Sequence, residues 1–474
     1  MTLFSRFKKR FYFVAAHYFK LFANISLKRW NPRIIAITGS VGKTTMLNLV
    51  ELELGERAHY SHNANSAFGI AFDLVGTDGI RGSKLRWVYL FFAVPIRALF
   101  FKHTEEFYIV EIDGERPHET EFLAKWLKPE VTLWVSLGRS HAVQFDDQVE
   151  SGEFENVDKA ITHEFAMLPQ YTQKVIYIDG DVPLMNKACE KVKKHHNIPA
   201  EIRKCYQSRL KEYKVYPDHT TFIISNDFLN EDGSVTEKAK KSINAKRLQT
   251  SFKFYRPMPK SVTIQLVMLE NLCDYLDVPL KTDFRDMRVA PGRSSYFEGI
   301  KGIDIIDSSY NAHLLSVESV LGMVSEIKTK HKWLVLGDMV EQGSIEGEEH
   351  KKLALAIKKA SPERVILIGH RLETYTLPEL EKIYDVSERL SQSENSAEYK
   401  NKSASKPIIY HTLDQKDALK YIKKNIKGDE VVVFKGSQYL EWIIEKLLKH
   451  PKDAKRLCRR EKAAVKRRER RGLN

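Results

Sequence analysis

A chain of 474 residues exceeds what one hydrophobic core ordinarily organises, so two or three domains are expected. Its 43% hydrophobic and 29% charged content is that of a folded globular protein and excludes wholesale disorder. The formal charge of +14 sits at the ends: residues 1–33 carry eight Lys or Arg and no acid, residues 450–474 carry eleven basic and three acidic, and the body between them is close to neutral, which argues against nucleic acid as the general partner.

From Phe4, the apolar residues Phe7, Phe11, Val14, Ala15, Tyr18, Phe22 and Ile25 recur at three- and four-residue steps among Arg6, Lys8, Lys9, Arg10 and Lys20. Residues 1–32 are therefore expected to form a basic amphipathic helix. Contact with a membrane surface through this helix and packing against its own domain are equally open. The segment has no uninterrupted apolar stretch and no cleavage site of a secretory signal. Trp87 to Phe101 is apolar but broken by Pro95 and Arg97, and falls short of the roughly 20 residues of a spanning helix; a buried or interfacial helix is expected. Cys189, Cys205, Cys273 and Cys458 are widely spaced and lack zinc-ligand spacing, which points to a reducing cytoplasm and no structural metal.

Between Arg33 and Asn186, short β-rich runs alternate with helical stretches, as in an α/β fold with a mostly parallel sheet. Strands are expected at Ile34–Thr38, Phe107–Ile112, Val131–Ser136 and Val175–Ile178. Residues 190–256 are polar and mixed, and no order of elements is assigned there. After Pro291 the alternation resumes, with strands at Ile303–Asp307, Trp333–Leu336, Arg364–Ile368, Ile408–His411 and Glu430–Phe434. This divides the chain into a central domain over 33–292 and a second α/β domain over 293–449. Ser387–Ser405 reads as an exposed loop, and the basic tail 450–474 as a solvated end, without the interleaved aromatics of a nucleic-acid platform.

The segment Ile34-Ile-Ala-Ile-Thr-Gly-Ser-Val-Gly-Lys-Thr-Thr45 is an apolar strand entering a glycine turn and then a helix. Such a junction aims backbone N–H groups at a phosphate, so Gly39, Ser40, Val41, Gly42, Lys43, Thr44 and Thr45 are expected to cradle ATP. The Lys43 ammonium would reach the terminal phosphates, and the Thr44 hydroxyl would be available to Mg²⁺.

This short Gly-x-x-Gly-Lys-Thr form, preceded by Thr38, resembles the Mur ligase family, and further motifs follow in the family's order. His62-Asn-Ala-Asn-Ser-Ala-Phe-Gly69 is similar to the Asn-rich segment of the MurF type, the ligases that add D-alanyl-D-alanine. Tyr108-Ile-Val-Glu-Ile-Asp-Gly114 places Glu111 where the family binds Mg²⁺. Lys128-Pro-Glu-Val and Ser136-Leu-Gly-Arg-Ser-His141 place His141 where the family supports metal and phosphate. Ala290-Pro-Gly-Arg293, Ile306-Asp-Ser-Ser-Tyr-Asn-Ala-His313, Leu336-Gly-Asp-Met-Val-Glu341 with His350, and Phe434-Lys-Gly-Ser437 resemble landmarks of the C-terminal domain.

The resemblance implies a central P-loop ATPase domain, a C-terminal Rossmann-like ligase domain, and an ATP- and Mg²⁺-dependent enzyme that activates a carboxylate as an acyl phosphate for attack by an amine. It implies catalytic roles for Lys43, His141, Asp307 and Asn311, nucleotide contact by Arg293, and metal ligation by Thr44, Glu111 and His141. Closure of the C-terminal domain is expected to complete the site. The substrates implied are a peptide-linked cell-wall precursor and an amino acid or dipeptide acceptor, handled by a cytoplasmic monomer, with an inner-membrane-face location left open. Departures keep two alternatives in view, a catalytically weakened ATP-binding relative and a ligase for another amine and carboxylate pair. Ile161 stands where the family carries a carbamylated lysine, with Lys159 two residues away. The acidic pair is Asp307-Ser308, the His-Asn helix start expected near Lys260 to Ile264 is missing, and Gln438 replaces an arginine. The phosphate loop also begins without the family's usual preceding uridine-nucleotide domain.

Overall fold

The computed structural model of the chain describes residues 3–62, 64–79, 84–114, 116–139, 141–196, 198–226, 249–288, 290–329, 331–384, 406–437 and 439–473. The expected loop over 387–405 and the Gln438 replacement lie outside the described residues. The chain forms two compact units: Met1–Gln207 with Ile264–Lys281, and Ser208–Thr263 with Thr282–Asn474, apart from residues 241–244, which fall outside the described residues.

The first unit is built on a six-stranded parallel sheet in the order β2-β3-β1-β4-β5-β6, comprising β1 (Arg33–Thr38), β2 (Ala58–Tyr60), β3 (Phe107–Ile112), β4 (Val131–Trp134), β5 (Val175–Asp179) and β6 (Glu201–Cys205). The central strands are continuously apolar because helices cover both faces of a parallel sheet: all six residues of β3 and all four of β4 are buried. Thr38 pairs in register with Ile112 on one side and Trp134 on the other, so β1, β3 and β4 end level and their following loops emerge on one sheet edge, where α/β proteins collect ligands.

The N-terminal helix, Leu3–Trp30, lies on this sheet. Ala15, Ala16, Phe19, Ala23 and Leu27 are buried in one core with Phe68, Phe72, Leu90, Val94 and Leu123, and burying a Phe or Leu side chain contributes about 1.5–3 kcal/mol. Packing on its own domain therefore holds for this face. Val14, Leu21 and Ile25 stay exposed on the other.

In the second unit, β7 (Leu210–Val215), β8 (Thr220–Ser225) and β9 (Gln249–Phe254) form an antiparallel sheet. A second six-stranded sheet runs β10-β11-β15-β12-β13-β14, with β10 (Ser295–Glu298), β11 (Asp304–Ser308), β12 (Lys332–Gly337), β13 (Arg364–Ile368), β14 (Ile408–Thr412) and β15 (Val431–Lys435). Only the edge strand β10 is antiparallel within it. Each strand expected from Ile303 to Phe434 is present within one residue of its expected bounds.

The tail corrects an expectation. It is folded onto the second unit through a short 3-10 turn, Pro451–Arg456, and a helix, Lys462–Glu469. Leu457 and Leu473 enter the core beside Ile305 and Phe434, and Arg460 and Arg468 both donate to Glu445, at 2.8 and 3.0 Å. The apolar residues spaced among the arginines, and an internal acid for those arginines to pair with, make the tail part of the fold rather than a solvated end.

Candidate active site

The phosphate loop joins β1 to the helix Lys43–Leu54. Gly39 has φ +134° and Gly42 φ +88°, conformations that L side chains rarely adopt. A Cβ on Gly39 would also lie 2.8 Å from the Ser136 backbone, and one on Gly42 would lie 1.9 Å from Gln265 Nε2. The loop is clamped from the stretch after β4: Ser136 Oγ donates to the Val41 carbonyl and accepts from its N–H, both at 2.8 Å. Ser40 Oγ donates to the Gly138 carbonyl at 2.7 Å. Gly42 is the helix cap and no side chain caps this terminus, which leaves first-turn N–H groups and the positive end of the helix dipole for an anion.

Lys43 is buried, its Nζ 2.6 Å from the Gly39 carbonyl and 2.9 Å from Asp113 Oδ1. Thr44 Oγ1 donates to Glu111 Oε2 at 2.9 Å. Glu111, nearly buried at the end of β3, is anchored through its N–H to Ser61 Oγ at 2.8 Å. Hydroxyl and carboxylate oxygens converging at a helix start form a hard donor set that suits Mg²⁺. Asp113 was not singled out from sequence, yet it completes this cluster: Asn65 Nδ2 donates to its Oδ2 at 3.1 Å, and its N–H donates to the Asn65 carbonyl at 3.0 Å. Its signal was its place two residues beyond Glu111, at the same strand end.

His141 lies three residues past Gly138, with a left-handed backbone at the start of the turn Ala142–Gln144; its neighbour Ser140 is outside the described residues. Helix register separates the two positions, Ile161 and Lys159, named for the family's lysine. On the helix Val157–Gln170, Ile161 is buried, whereas Lys159 is exposed and pairs with Glu155 at 2.5 Å. One turn further, buried Glu164 accepts from the N–H groups of His118 and Thr120 at 2.8 and 2.6 Å, and burial raises its carboxyl to about 7 against those bonds.

The second unit gathers Arg293, Asp307 and Asn311 at the C-terminal end of β11. Asp307 is fully buried; Oδ1 accepts from the Ser309 N–H at 2.9 Å, Oδ2 has no hydrogen-bond partner, and burial pushes its carboxyl upward. The Arg293 guanidinium lies 4.8 Å over the Tyr310 ring. Lys435, in register with Ser308, donates from Nζ to the Asn311 carbonyl at 2.6 Å. Burial first, then neighbouring Arg293, lowers its ammonium to about 7. Sequence motifs contained Lys435 but assigned it no role. His350, by contrast, shapes structure: its Nδ1 faces the Glu346 carbonyl at 2.8 Å and its Nε2 accepts from the Met339 N–H at 3.1 Å. From the tail, Arg459 donates to the carbonyls of Ser309 and Tyr310 at 3.1 and 2.7 Å and to buried Glu441 at 3.1 Å, bracing the loop that carries Asn311.

Residues 292–438 match the family described as Mur ligase, glutamate ligase domain. The chain resembles the Mur ligases of the MurF type. It is 22% identical over 438 residues to UDP-N-acetylmuramoyl-tripeptide--D-alanyl-D-alanine ligase of Bacillus subtilis (strain 168), covering 90% of this chain and 79% of that protein. Two solved structures share the fold of these ligases: MurF ligase from Thermotoga maritima in complex with ADP, at TM-score 0.63 and 17% identity over 91% of this chain and 82% of that one, and MurF from Acinetobacter baumannii, at TM-score 0.64 and 16% identity over 91% and 80%. The Mur ligase match runs from residue 292 to residue 438 and therefore spans Arg293, Asp307, Asn311 and Lys435 alike.

Proposed function

We propose that this chain is an ATP-dependent ligase that forms an amide bond through an acyl phosphate, joining a dipeptide such as D-alanyl-D-alanine to a peptide-linked cell-wall precursor. The observation that carries the reading is the phosphate loop with Lys43 at a helix start and the Thr44–Glu111 pair beside it. Loop N–H groups and Lys43 hold and neutralise the triphosphate, which orients its terminal phosphoryl group for attack by the donor carboxylate. Thr44, Glu111 and His141 would hold Mg²⁺, which supplies charge neutralisation on the phosphates. Arg293, Asp307 and Asn311 are the second unit's contribution to nucleotide and acceptor handling. A cytoplasmic location at the inner face of the membrane, where such precursors are assembled, belongs to the same proposal.

The test is phosphate release from ATP and Mg²⁺ with a muramyl-tripeptide donor and D-alanyl-D-alanine, omitting each in turn, beside Lys43→Ala. Release that needs both substrates and is lost in the variant is expected. Release independent of the amine would overturn the ligase reading.

A second reading, an ATP-binding relative with weakened catalysis, is favoured by one observation: the position of the family's bridging lysine holds buried Ile161, and Lys159 faces solvent. Nucleotide binding without turnover on any amine and carboxylate pair would select it.

A further inference from the structure

The helix Lys84–Phe100 packs on the first unit with Leu90, Val94 and Ala98 fully buried. Its other side exposes Leu85, Val88, Tyr89, Phe92, Ile96, Leu99 and Phe100. At about 100° per residue these seven fall within one arc of about 120°. Leu85 is 83% exposed, Phe92 70% and Phe100 75%, so side chains that ordinarily supply core face water. Soluble chains rarely tolerate so continuous an apolar stripe unless something covers it. The neighbouring Leu3–Trp30 helix adds exposed Val14, Leu21 and Ile25. The two helices are fixed to each other: Tyr18 OH donates to the Phe91 carbonyl at 2.7 Å, Arg29 donates to the Leu99 carbonyl at 2.8 Å and to the Phe101 carbonyl, and the Tyr18 and Phe91 rings lie 5.0 Å apart.

We propose that these two helices form a platform that inserts shallowly into an anionic lipid bilayer, with the apolar arc of Lys84–Phe100 as the inserting face. The charge carried by these two stretches of sequence selects this occupant. Residues 1–33 carry eight basic and no acidic side chains, and residues 81–102 carry Arg81, Lys84, Arg86, Arg97 and Lys102 and no acid. Lys28, Arg29 and Lys102 are exposed. A second copy of the chain would bring the same excess of positive charge against itself and be repelled, whereas anionic headgroups attract it. The Lys84–Phe100 helix lies along the surface of its unit with one side in the protein core, and among the described residues no helix is long and apolar enough to cross a membrane. That is the pattern of interfacial binding rather than spanning. The platform rests on the ligase reading only for which membrane face it meets; the surface itself stands without it.

The experiment uses the full chain with vesicles of phosphatidylcholine alone or mixed with phosphatidylglycerol, separated by flotation. Flotation with the anionic vesicles is expected, weakened by salt, and reduced at least about tenfold in Phe92→Asp/Ile96→Asp, with thermal midpoint and ATP binding unchanged. In Phe92→Trp, the tryptophan emission is expected to shift to the blue when anionic vesicles are added, a readout that does not depend on the double variant. No flotation and no shift would overturn the proposal. So would a dimer in sedimentation that the double variant dissolves, which would give the face to a second copy. Because flotation and the emission shift need neither nucleotide nor donor nor amine, failure of the ligase reading leaves their outcome unchanged.

Discussion

Thr44 Oγ1 and Glu111 Oε2 meet at 2.9 Å, joining the first turn after the phosphate loop to the end of β3. The carboxylate is nearly buried and its backbone is tied to Ser61, so the proposed metal ligand is held in place by the fold alone. Glu111→Gln keeps the side-chain shape and an acceptor for Thr44 but removes the charge that Mg²⁺ requires. Phosphate release is expected to fall about a hundredfold or more, with a raised Mg²⁺ requirement and a thermal midpoint close to the parent. An unchanged Mg²⁺ titration would remove Glu111 from the metal site.

Gly42 and Gln265 make a second checkable pair. A Cβ at position 42 would come within 1.9 Å of Gln265 Nε2, the far end of a flexible side chain, and would also strain a backbone at φ +88°. Gly42→Ala should weaken ATP binding and cost about 1–3 kcal/mol of stability, chiefly through the backbone. Adding Gln265→Ala relieves the clash but not the strain, so nucleotide titration of the double variant should show partial recovery. Full recovery would place the whole effect in the clash.

The parallel strands were legible because burial on both faces demands unbroken Val and Ile runs, as in Val431-Val-Val-Phe434. Residues 190–256 were not. β9, Gln-Thr-Ser-Phe-Lys-Phe, buries every second residue, and its polar alternation resembles a loop when read beside charged neighbours. The strand, glycine turn and helix around Gly39 and the place of Glu111 on a strand were readable from local motifs, whereas Asp113 and Lys435 acquire meaning only through what folding brings beside them, Lys43 in one case and Asn311 in the other. The same holds for Lys159: two residues from Ile161 in sequence, it occupies the opposite, solvent side of the helix. Lys159→Ala should therefore leave activity unchanged and stability within about 1 kcal/mol, as for other exposed ion pairs, and a clear loss of phosphate release would restore it to the site.

Glu164 gives a pH dependence with a defined sign. Burial raises its carboxyl to about 7 from an ordinary value of 4.5, so the folded chain binds more protons than the unfolded chain between those values. Stability from this group is present at acid pH and is lost as pH rises from about 4.5 through 7, by about 1–3 kcal/mol. Glu164→Gln, which keeps an acceptor for the N–H groups of His118 and Thr120, should flatten that part of the denaturation profile. A parent-like slope in the variant would show that Glu164 is not its source.

Arg459 turns the C-terminal tail into a support for the loop that carries Asn311, one of the proposed site residues. Its guanidinium spans the carbonyls of Ser309 and Tyr310 and the buried carboxylate of Glu441. Removing it leaves that carboxylate without its cation and two carbonyls without donors, which costs about 1–3 kcal/mol for an unsatisfied buried group. Arg459→Ala should lower the thermal midpoint and raise the KM for the acceptor or ATP, because the loop carrying Asn311 loses its brace while the phosphate loop of the first unit is untouched. Arg459→Lys supplies one charge without the fork and should recover stability more than KM. Deleting residues 451–474 removes Leu457 and Leu473 from the core as well, so it should be more damaging than Arg459→Ala. If the deleted chain kept both its thermal midpoint and its kinetics, the tail would be dispensable and the brace without consequence.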